Sequence, residues 1–198
     1  MVKTQCFYHD PRAAQILGWA LRNLLRRFTP ASGSFPVVVC VGTDRITGDS
    51  LGPLVGTLLQ ERHPGLPVYG TLAEPLHAAN LGERLPAIRQ QHADRPVVAV
   101  DSALGESGHV GKICVYRGAL RPGSGLNKAL PEVGDVHLMG IVDVGYWNAL
   151  DYLALQNVRL HLVWEIAKVM VRAIEIGIGI SSLPGMEAAT AAEVGDGL

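Results

Sequence analysis

The sequence contains few cysteines, almost no net charge and no long apolar run. Its three cysteines, Cys6, Cys40 and Cys114, lie far apart in 198 residues, which excludes a disulfide framework and a Cys-x-x-Cys metal site. A net charge of −1 gives no electrostatic basis for binding nucleic acid or an anionic membrane. No apolar run could span a bilayer, and the first residues contain no signal-peptide core. We therefore expect a cytoplasmic protein with neither nucleic acid nor membrane as a partner.

The composition is that of a folded globular chain. Hydrophobic residues make up 48% of the sequence and charged residues 18%, a balance that supports a packed core. The length fits one domain better than two. We predict a single α/β domain over residues 1–183. Residues 184–198 are small and acidic without periodicity, and we predict a disordered tail there.

Strand and helix patterns alternate along the chain. Continuous apolar runs at 37–41 and 96–100 predict strands that are buried on both faces, as in a parallel sheet. Helical spacing of apolar residues predicts helices at 11–28, 51–62 and 80–92. Further strands are predicted at 67–71, 110–116 and 136–144, and further helices at 146–156 and 158–175. This alternation predicts a three-layer α/β domain with a mostly parallel sheet.

Two aspartates follow the two buried strands. Asp49 lies in the loop after the strand at 37–41, and Asp101 directly follows the strand at 96–100. In parallel sheets the binding crevice lies beyond the carboxyl ends of the strands, so both side chains are candidates for one site. Paired carboxylates can raise one another's proton affinity and divide the roles of acid and base, or hold a divalent cation. Two simpler interpretations remain open: Asp49 could cap a helix, and Asp101 could be a turn residue.

A long Gly- and Pro-rich loop is the third candidate element. It contains Gly123, Ser124 and Gly125, and glycine allows a backbone to approach a ligand closely. A flexible surface loop is the alternative interpretation. Of seven histidines, His137 follows this loop and could reach the crevice, although a lone histidine is more often a structural residue. An anion could also bind at the helix N-terminus after Gly48, but the neighbouring aspartates would repel it.

Four segments, taken together, resemble the YyaC-type sporulation proteins, which are relatives of the spore germination protease. They are the loop Gly42-Thr-Asp-Arg-Ile-Thr-Gly-Asp-Ser-Leu-Gly-Pro, the segment Ala99-Val-Asp-Ser-Ala-Leu-Gly, the loop Arg121-Pro-Gly-Ser-Gly-Leu-Asn-Lys, and Leu155-Gln-Asn-Val-Arg-Leu. The resemblance implies a phosphorylase/hydrolase-like α/β/α fold, which is shared more distantly with the hydrogenase-maturation endopeptidases.

The resemblance also implies an activity and a set of site residues. The carboxylates tied to activity in the germination protease correspond to Asp49 and Asp101. Gly123, Ser124, Gly125 and Asn127 lie in the segment that resembles the third signature loop, where Asn127 replaces an expected small residue. From the glycine content, and not from the resemblance, we predict that this loop helps to bind substrate. The hydrogenase-maturation enzymes hold a metal between acidic residues and a histidine, so Asp49, Asp101 and His137 are metal candidates, and a divalent ion is an open possibility.

Two functions from different classes follow from these residues. The first is a sporulation-associated peptidase in which Asp49 and Asp101 activate a water molecule against a peptide carbonyl of a protein substrate. The second is a non-catalytic module of the same fold that binds a peptide or a metal ion during sporulation. Neutralisation of either carboxylate by Arg45 or Lys128 would favour the second. Self-association has no signature in the sequence, so a homo-oligomer also stays open.

Overall fold

The valine-rich segments of the chain form the centre of a mixed β-sheet. The computed structural model describes residues 3–28, 34–122, 130–146, 148 and 150–180. Within them, six strands share one sheet: β1 (Lys3–Phe7), β2 (Val37–Cys40), β3 (Val68–Tyr69), β4 (Val97–Gly105), β5 (Lys112–Arg117) and β6 (Val136–Val144). Residues 37–40 and 97–100 are completely or almost completely buried, because helices cover both faces of these strands.

The described residues form five α-helices: α1 (Ala13–Leu25), α2 (Leu51–Arg62) and α3 (Leu81–Gln91), which connect strands, and α4 (Leu150–Asn157) and α5 (Leu160–Ile178), which follow β6. Short 3₁₀ turns precede α2 at Gly48–Ser50 and follow β4 at Ser107–His109. No helix in the described part of the chain is long and apolar enough to cross a membrane.

The sheet has the order β1-β5-β6-β4-β2-β3. Strands β3, β2, β4 and β6 are parallel neighbours, whereas β5 runs antiparallel to both β6 and β1. Residues of α1, α2 and α5 pack on one face, and residues of α3 pack on the other. The predicted three-layer α/β/α fold with a mostly parallel sheet is therefore confirmed.

Glycines let the helices approach the sheet and each other closely. A Cβ atom on Gly140 of β6 would lie 2.5 Å from the side chain of Leu51 and 2.8 Å from that of Ile166. The first residue of α2 therefore packs directly on the sheet. Similarly, a Cβ on Gly18 of α1 would lie 2.7 Å from the side chain of Ile176 in α5. The contact between Gly140 and Leu51 fixes the start of α2, and therefore the end of the loop that precedes α2.

Most predicted elements occur near their predicted positions, and three differ. The edge strand β1 was not predicted, because Lys3–Phe7 lacks a continuous apolar run. Asp101 does not end its strand as expected: β4 continues to Gly105 because β6 pairs with it along that length. Helix α4 starts at Leu150, later than the predicted residue 146. The tail predicted at 184–198 lies outside the described residues, so that prediction stays untested.

The packing of α1 against α5 predicts a difference between two glycine-to-alanine substitutions. Gly18→Ala places a methyl group 2.7 Å from Ile176 and 2.9 Å from the carbonyl oxygen of Ala173, whereas a Cβ on Gly82 of α3 meets nothing within 4 Å. Both substitutions replace a helical glycine by alanine, a better helix former, and the gain is larger for Gly18 because Gly82 lies in the first turn of α3. Overpacking should nevertheless leave Gly18→Ala less stable than Gly82→Ala by about 1–3 kcal/mol in urea unfolding. Equal stabilities would contradict this description of the contact.

Candidate active site

The chain turns away from β4 immediately after β2. The backbone N–H of Val41 still donates to the carbonyl of Val100 on β4 (2.8 Å), but the N–H of Gly42 donates to Leu76 on the opposite side of the strand (2.8 Å). Gly42 has φ of 140°, a conformation that favours glycine. A Cβ on Gly42 would also collide with the backbone carbonyl of Asp49. The sharp turn and the close approach of Asp49 therefore both require glycine at this position.

The loop after Gly42 folds back on itself and ends in the 3₁₀ turn that contains Asp49. The N–H of Thr43 donates to the backbone carbonyl of Asp49 (3.1 Å), and the Ser50 hydroxyl donates to the carbonyl of Thr47 (2.7 Å). Ser50 is the N-cap residue of α2. No side-chain hydrogen bond caps the start of the 3₁₀ turn or the start of α2. The interpretation of Asp49 as a helix cap is therefore wrong.

The segment that comprises the end of α4 and the residue after it covers the 3₁₀ turn. A Cβ on Gly48 would lie 2.9 Å from the side chains of Leu155 and Val158, so this segment packs directly on the turn. Burial raises the pKa of Asp49 to about 6, although a hydrogen bond from the backbone N–H of Thr43 favours the charged form. Asp49 is therefore poised to change protonation near neutral pH.

Asp101 lies one residue beyond the last β4 residue that pairs with β2. It is 8% exposed, and the N–H of Ser102 donates to its Oδ1 (2.7 Å). Burial and the neighbouring Asp49 carboxylate raise the pKa of Asp101 well above its usual range. The two carboxylates are thus close enough to interact electrostatically. Asp101 therefore holds its proton more tightly than an ordinary aspartate does.

Neither aspartate has a cationic partner among the described residues. Arg45 is exposed and its backbone N–H bonds to Thr43, while Lys128 lies outside the described residues. The buried Glu175 differs, because the side chains of Arg62 (3.3 Å) and His63 (3.0 Å) contact its Oε1. Structural burial of an acid in this chain thus comes with counter-charges, which the Asp49–Asp101 pair lacks.

His137 does not join the two aspartates. Its register partner on β4 is Ala99, two residues before Asp101. Nδ1 of His137 bonds to the carbonyl of Gly118 (2.8 Å), and the ring stacks on Tyr116 at 4.9 Å between centroids. Burial lowers its pKa, partly offset by the bond to Gly118. No three His, Cys, Asp or Glu side chains converge on a possible metal position in the described ranges, and a metal ion at the aspartates stays a prediction.

The predicted substrate-binding residues Gly123, Ser124, Gly125 and Asn127 lie outside the described residues. The two ends of their loop are described. Leu120 and Val133 pair with each other and are buried in the cluster that contains Ala99 and α3. The loop therefore starts and ends on the same face of the sheet as Ala99, and its role stays a prediction.

A separate cleft lies at the end of the sheet where the parallel strands β2 and β4 begin. Its described lining includes Arg22, Arg26, Phe35 and Pro96, and Pro96 immediately precedes β4. The aspartates lie beyond the other end of β2, so this cleft belongs to a different part of the molecule. It contains no carboxylate among its described lining residues and contributes nothing to the candidate site.

Sequence reasoning identified both aspartates but missed the backbone groups that hold them. The N–H groups of Thr43 and Ser102 were not predicted, because any residue carries such a group. The signal for the turn was available, since Gly42 directly follows a buried strand. A glycine at that point often marks a required turn.

Comparison with known proteins gives three results. A family model described as "Protein of unknown function (DUF1256)" matches residues 5–173. "Uncharacterized protein YyaC" of Bacillus subtilis (strain 168) is 43% identical over 176 residues, covering 88% of this chain and 83% of that protein. A crystal structure of the NiFe hydrogenase maturation protease HycI from Thermococcus kodakarensis KOD1 aligns with a TM-score of 0.50 at 18% identity, covering 80% of this chain and 98% of that one. The last similarity shows a shared fold.

The raised pKa values predict that removing either acid stabilises the protein. An aspartate has a pKa of about 3.9 in an unfolded chain, whereas Asp49 titrates near 6 when folded. The free energy of unfolding therefore falls as the pH rises between these values and is constant above them. Asp49→Asn should be more stable than the native protein by about 1–3 kcal/mol at pH 7–8, with little difference near pH 4.

A matched control is Asp135→Asn, measured by urea unfolding at the same pH values. Oδ2 of Asp135 accepts the N–H of Val97 (2.8 Å) and lies 3.5 Å from Arg89. Loss of its charge should therefore destabilise the protein at pH 7–8. A destabilised Asp49→Asn variant would show that Asp49 is a structural acid, as Asp135 is.

Proposed function

The chain belongs to the DUF1256 family as a YyaC-type protein, and from this premise we propose that it is a sporulation-associated peptidase that uses Asp49 and Asp101. One observation carries the proposal. Two carboxylates without a counter-ion among the described residues lie next to each other where β2 ends and β4 continues. Buried acids with perturbed pKa values are typical of catalytic sites. The peptidase-like fold, seen also in a hydrogenase maturation protease, is consistent with this function.

Peptide hydrolysis would divide two roles between the aspartates. Ionised Asp49 takes a proton from water as the water oxygen attacks the peptide carbonyl carbon. Protonated Asp101 donates its proton to the carbonyl oxygen, which forms a neutral tetrahedral diol. Asp49 then donates its proton to the amide nitrogen, the C–N bond breaks, and Asp101 recovers a proton from a diol hydroxyl. Both acids return to their starting states.

The assignment of roles rests on the different pKa values. Asp49 has a pKa of about 6 and is ionised at neutral pH, as a base must be. Burial and the charge of Asp49 raise the pKa of Asp101 well above its usual range, as suits an acid. Like charges held this close cannot both ionise easily, so the pair retains one proton over a wide pH range.

We further propose that the substrate is a polypeptide and that the loop with Gly123, Ser124, Gly125 and Asn127 helps to hold it. A divalent ion, if one binds, would be held by the two carboxylates. His137 already bonds to Gly118, so water or substrate would supply the remaining ligands. The steps above use only this chain's own acids and a water molecule.

Asp49→Asn and Asp101→Asn should each reduce kcat/KM by about 10²–10⁴-fold, since each removes one general acid–base group. Hydrolysis is measured with a fluorogenic peptide library and with protein extracted from spores, with and without added divalent metal. Asp44→Asn is the control. Asp44 is an exposed acid of the same loop and should leave kcat/KM unchanged.

The same variants test the role in sporulation. Cells that lack the gene should sporulate normally when they are complemented with the native protein or the Asp44→Asn variant. They should sporulate poorly when complemented with Asp49→Asn or Asp101→Asn. If the native protein cleaves nothing and both site variants restore sporulation, the proposed peptidase is wrong. If cleavage is absent but both variants still fail, the protein is a binding module of the same fold.

The two carboxyl groups predict a bell-shaped dependence of kcat/KM on pH. Activity should rise as Asp49 loses its proton near pH 6 and fall at higher pH, where Asp101 loses its own. The pH dependence of kcat/KM reports the pKa values of the free enzyme. A stopped assay over pH 4–10 therefore gives the pKa of the base from the rise in rate on the acid side. A rate that already reaches its plateau at pH 4 would exclude Asp49 as the base.

A further inference from the structure

The strand that carries Asp101 has a free backbone edge beside the site. Strand β4 contains nine residues and β2 only four, and pairing between them stops at Val100. Residues 97–100 are completely or almost completely buried, but residues 102–105 are half-buried. The second half of β4 is therefore paired with β6 on one side and has no strand neighbour on the other among the described residues.

The direction of each backbone group follows from the alternation of the strand. The carbonyl of Val100 faces β2, since it accepts the N–H of Val41, and the carbonyl of Gly105 faces β6, since it accepts the N–H of Gly145. Successive residues alternate between the two sides. The N–H and C=O groups of Ser102 and Leu104 therefore point to the side that β2 has left.

These groups have no backbone partner in the described part of the chain. In a continuous sheet the N–H of Ser102 would meet the carbonyl of Val41. That carbonyl instead points at α2, where a Cβ on Gly52 would collide with it. The Ser102 N–H bonds to Oδ1 of Asp101 (2.7 Å) instead. The first N–H group that β2 leaves without a backbone partner is therefore bonded to one of the two acids.

The edge carries neither lysine nor proline, and the register shift between Ala103 and Leu104 lies in the pairing with β6, on the other side of β4. Free edges are usually covered or carry lysine, proline or a bulge that prevents pairing. Here the sequence is Ser-Ala-Leu-Gly at 102–105, with three small residues and no charge. An edge that no strand pairs with among the described residues can accept one more strand.

We propose that the edge of β4 at Ser102–Gly105 binds the substrate polypeptide as an added, extended strand. This docking mode specifies how the substrate of the proposed peptidase binds. Cleavage of the bound peptide rests on the proposed function. One residue of the bound peptide would donate its N–H to the Ser102 carbonyl and accept the Leu104 N–H. The adjoining peptide bond would then lie opposite Asp101. The occupant is an extended main chain, so the edge selects conformation, while the surrounding loops select side chains.

The test uses a probe peptide, acetyl-Lys-Thr-Val-Thr-Val-Thr-Val-Lys-amide, and the ¹⁵N-labelled full-length Asp49→Asn protein, which should hydrolyse peptides at least about 10²-fold more slowly than the native protein. The amide resonances of Ser102 and Leu104 should shift saturably as the peptide is added. The same peptide N-methylated at two consecutive central residues presents no complete edge and should cause no such shift. Equal shifts with both peptides, or none with either, would overturn the proposal.

Two variants of Leu104 separate the N–H group from the side chain. Leu104→Pro removes the outward N–H and places a ring on the edge, and an edge strand tolerates this change. It should bind the probe at least tenfold more weakly than Leu104→Ala, which loses the side chain but keeps the N–H. Gln5→Pro alters the distant free edge of β1 and should bind as the native protein does. Equal affinity for both Leu104 variants would refute the edge.

The results distinguish this proposal from the proposed function. Probe binding at the edge without any hydrolysis by the native protein removes the peptidase and retains the docking edge. Hydrolysis by a folded Leu104→Pro variant with an unchanged KM removes the docking edge and retains the peptidase.

Discussion

The placement of two carboxyl groups side by side, half-buried Asp49 and buried Asp101, is the constraint on which the rest of the site depends. Burial alone disfavours charge on either group, and the charge on one disfavours the charge on the other. The folded protein holds them together through Gly42, which lets the loop turn, and through the backbone N–H groups of Thr43 and Ser102. Because those groups are backbone amides, they stabilise one negative charge without supplying a counter-ion.

The rigid core explains how this arrangement is maintained. Val41, directly after β2, lies within a buried cluster, and Leu51 starts α2 in direct contact with Gly140 of β6. The loop between them therefore has both ends fixed by well-packed apolar side chains. Packed interiors deform little, so the loop cannot relax by moving Asp49 away from Asp101. The free energy that the acid pair costs is offset by contacts elsewhere in the core.

The sequence predicts the fold well where local pattern and burial agree. The runs at 37–41 and 136–144 contain apolar residues that only a buried strand accommodates, and both strands occur there. Prediction fails where tertiary pairing overrides local preference. Asp101, Ser102 and Gly105 are residues typical of turns, yet β6 draws all of them into β4. The edge strand β1 forms for the same reason, through pairing with β5.

The candidate site was predictable in its side chains but not in its geometry. Spacing along the chain identified Asp49 and Asp101 as residues that follow buried strands, and parallel neighbours bring such residues together. The absence of a described counter-charge could not be read from the sequence, which offers Arg45 in the same loop. For His137 the sequence suggested a place at the site, but the ring does not join the aspartates. It bonds to the carbonyl of Gly118, nineteen residues away, and sequence pattern does not reveal such a contact.

The unequal lengths of β2 and β4 connect the acid pair with the free edge. If β2 continued beyond Val41, its next residues would cover Ser102 and Leu104, and the loop could not return to place Asp49 beside Asp101. The turn at Gly42 therefore does two things at once, since it brings the second acid to the site and leaves the backbone beside it unpaired. A binding module needs only the open edge, and a stable scaffold needs neither feature. The proposed peptide hydrolysis would use both features together, the acid pair for proton transfer and the adjacent edge for holding the substrate main chain.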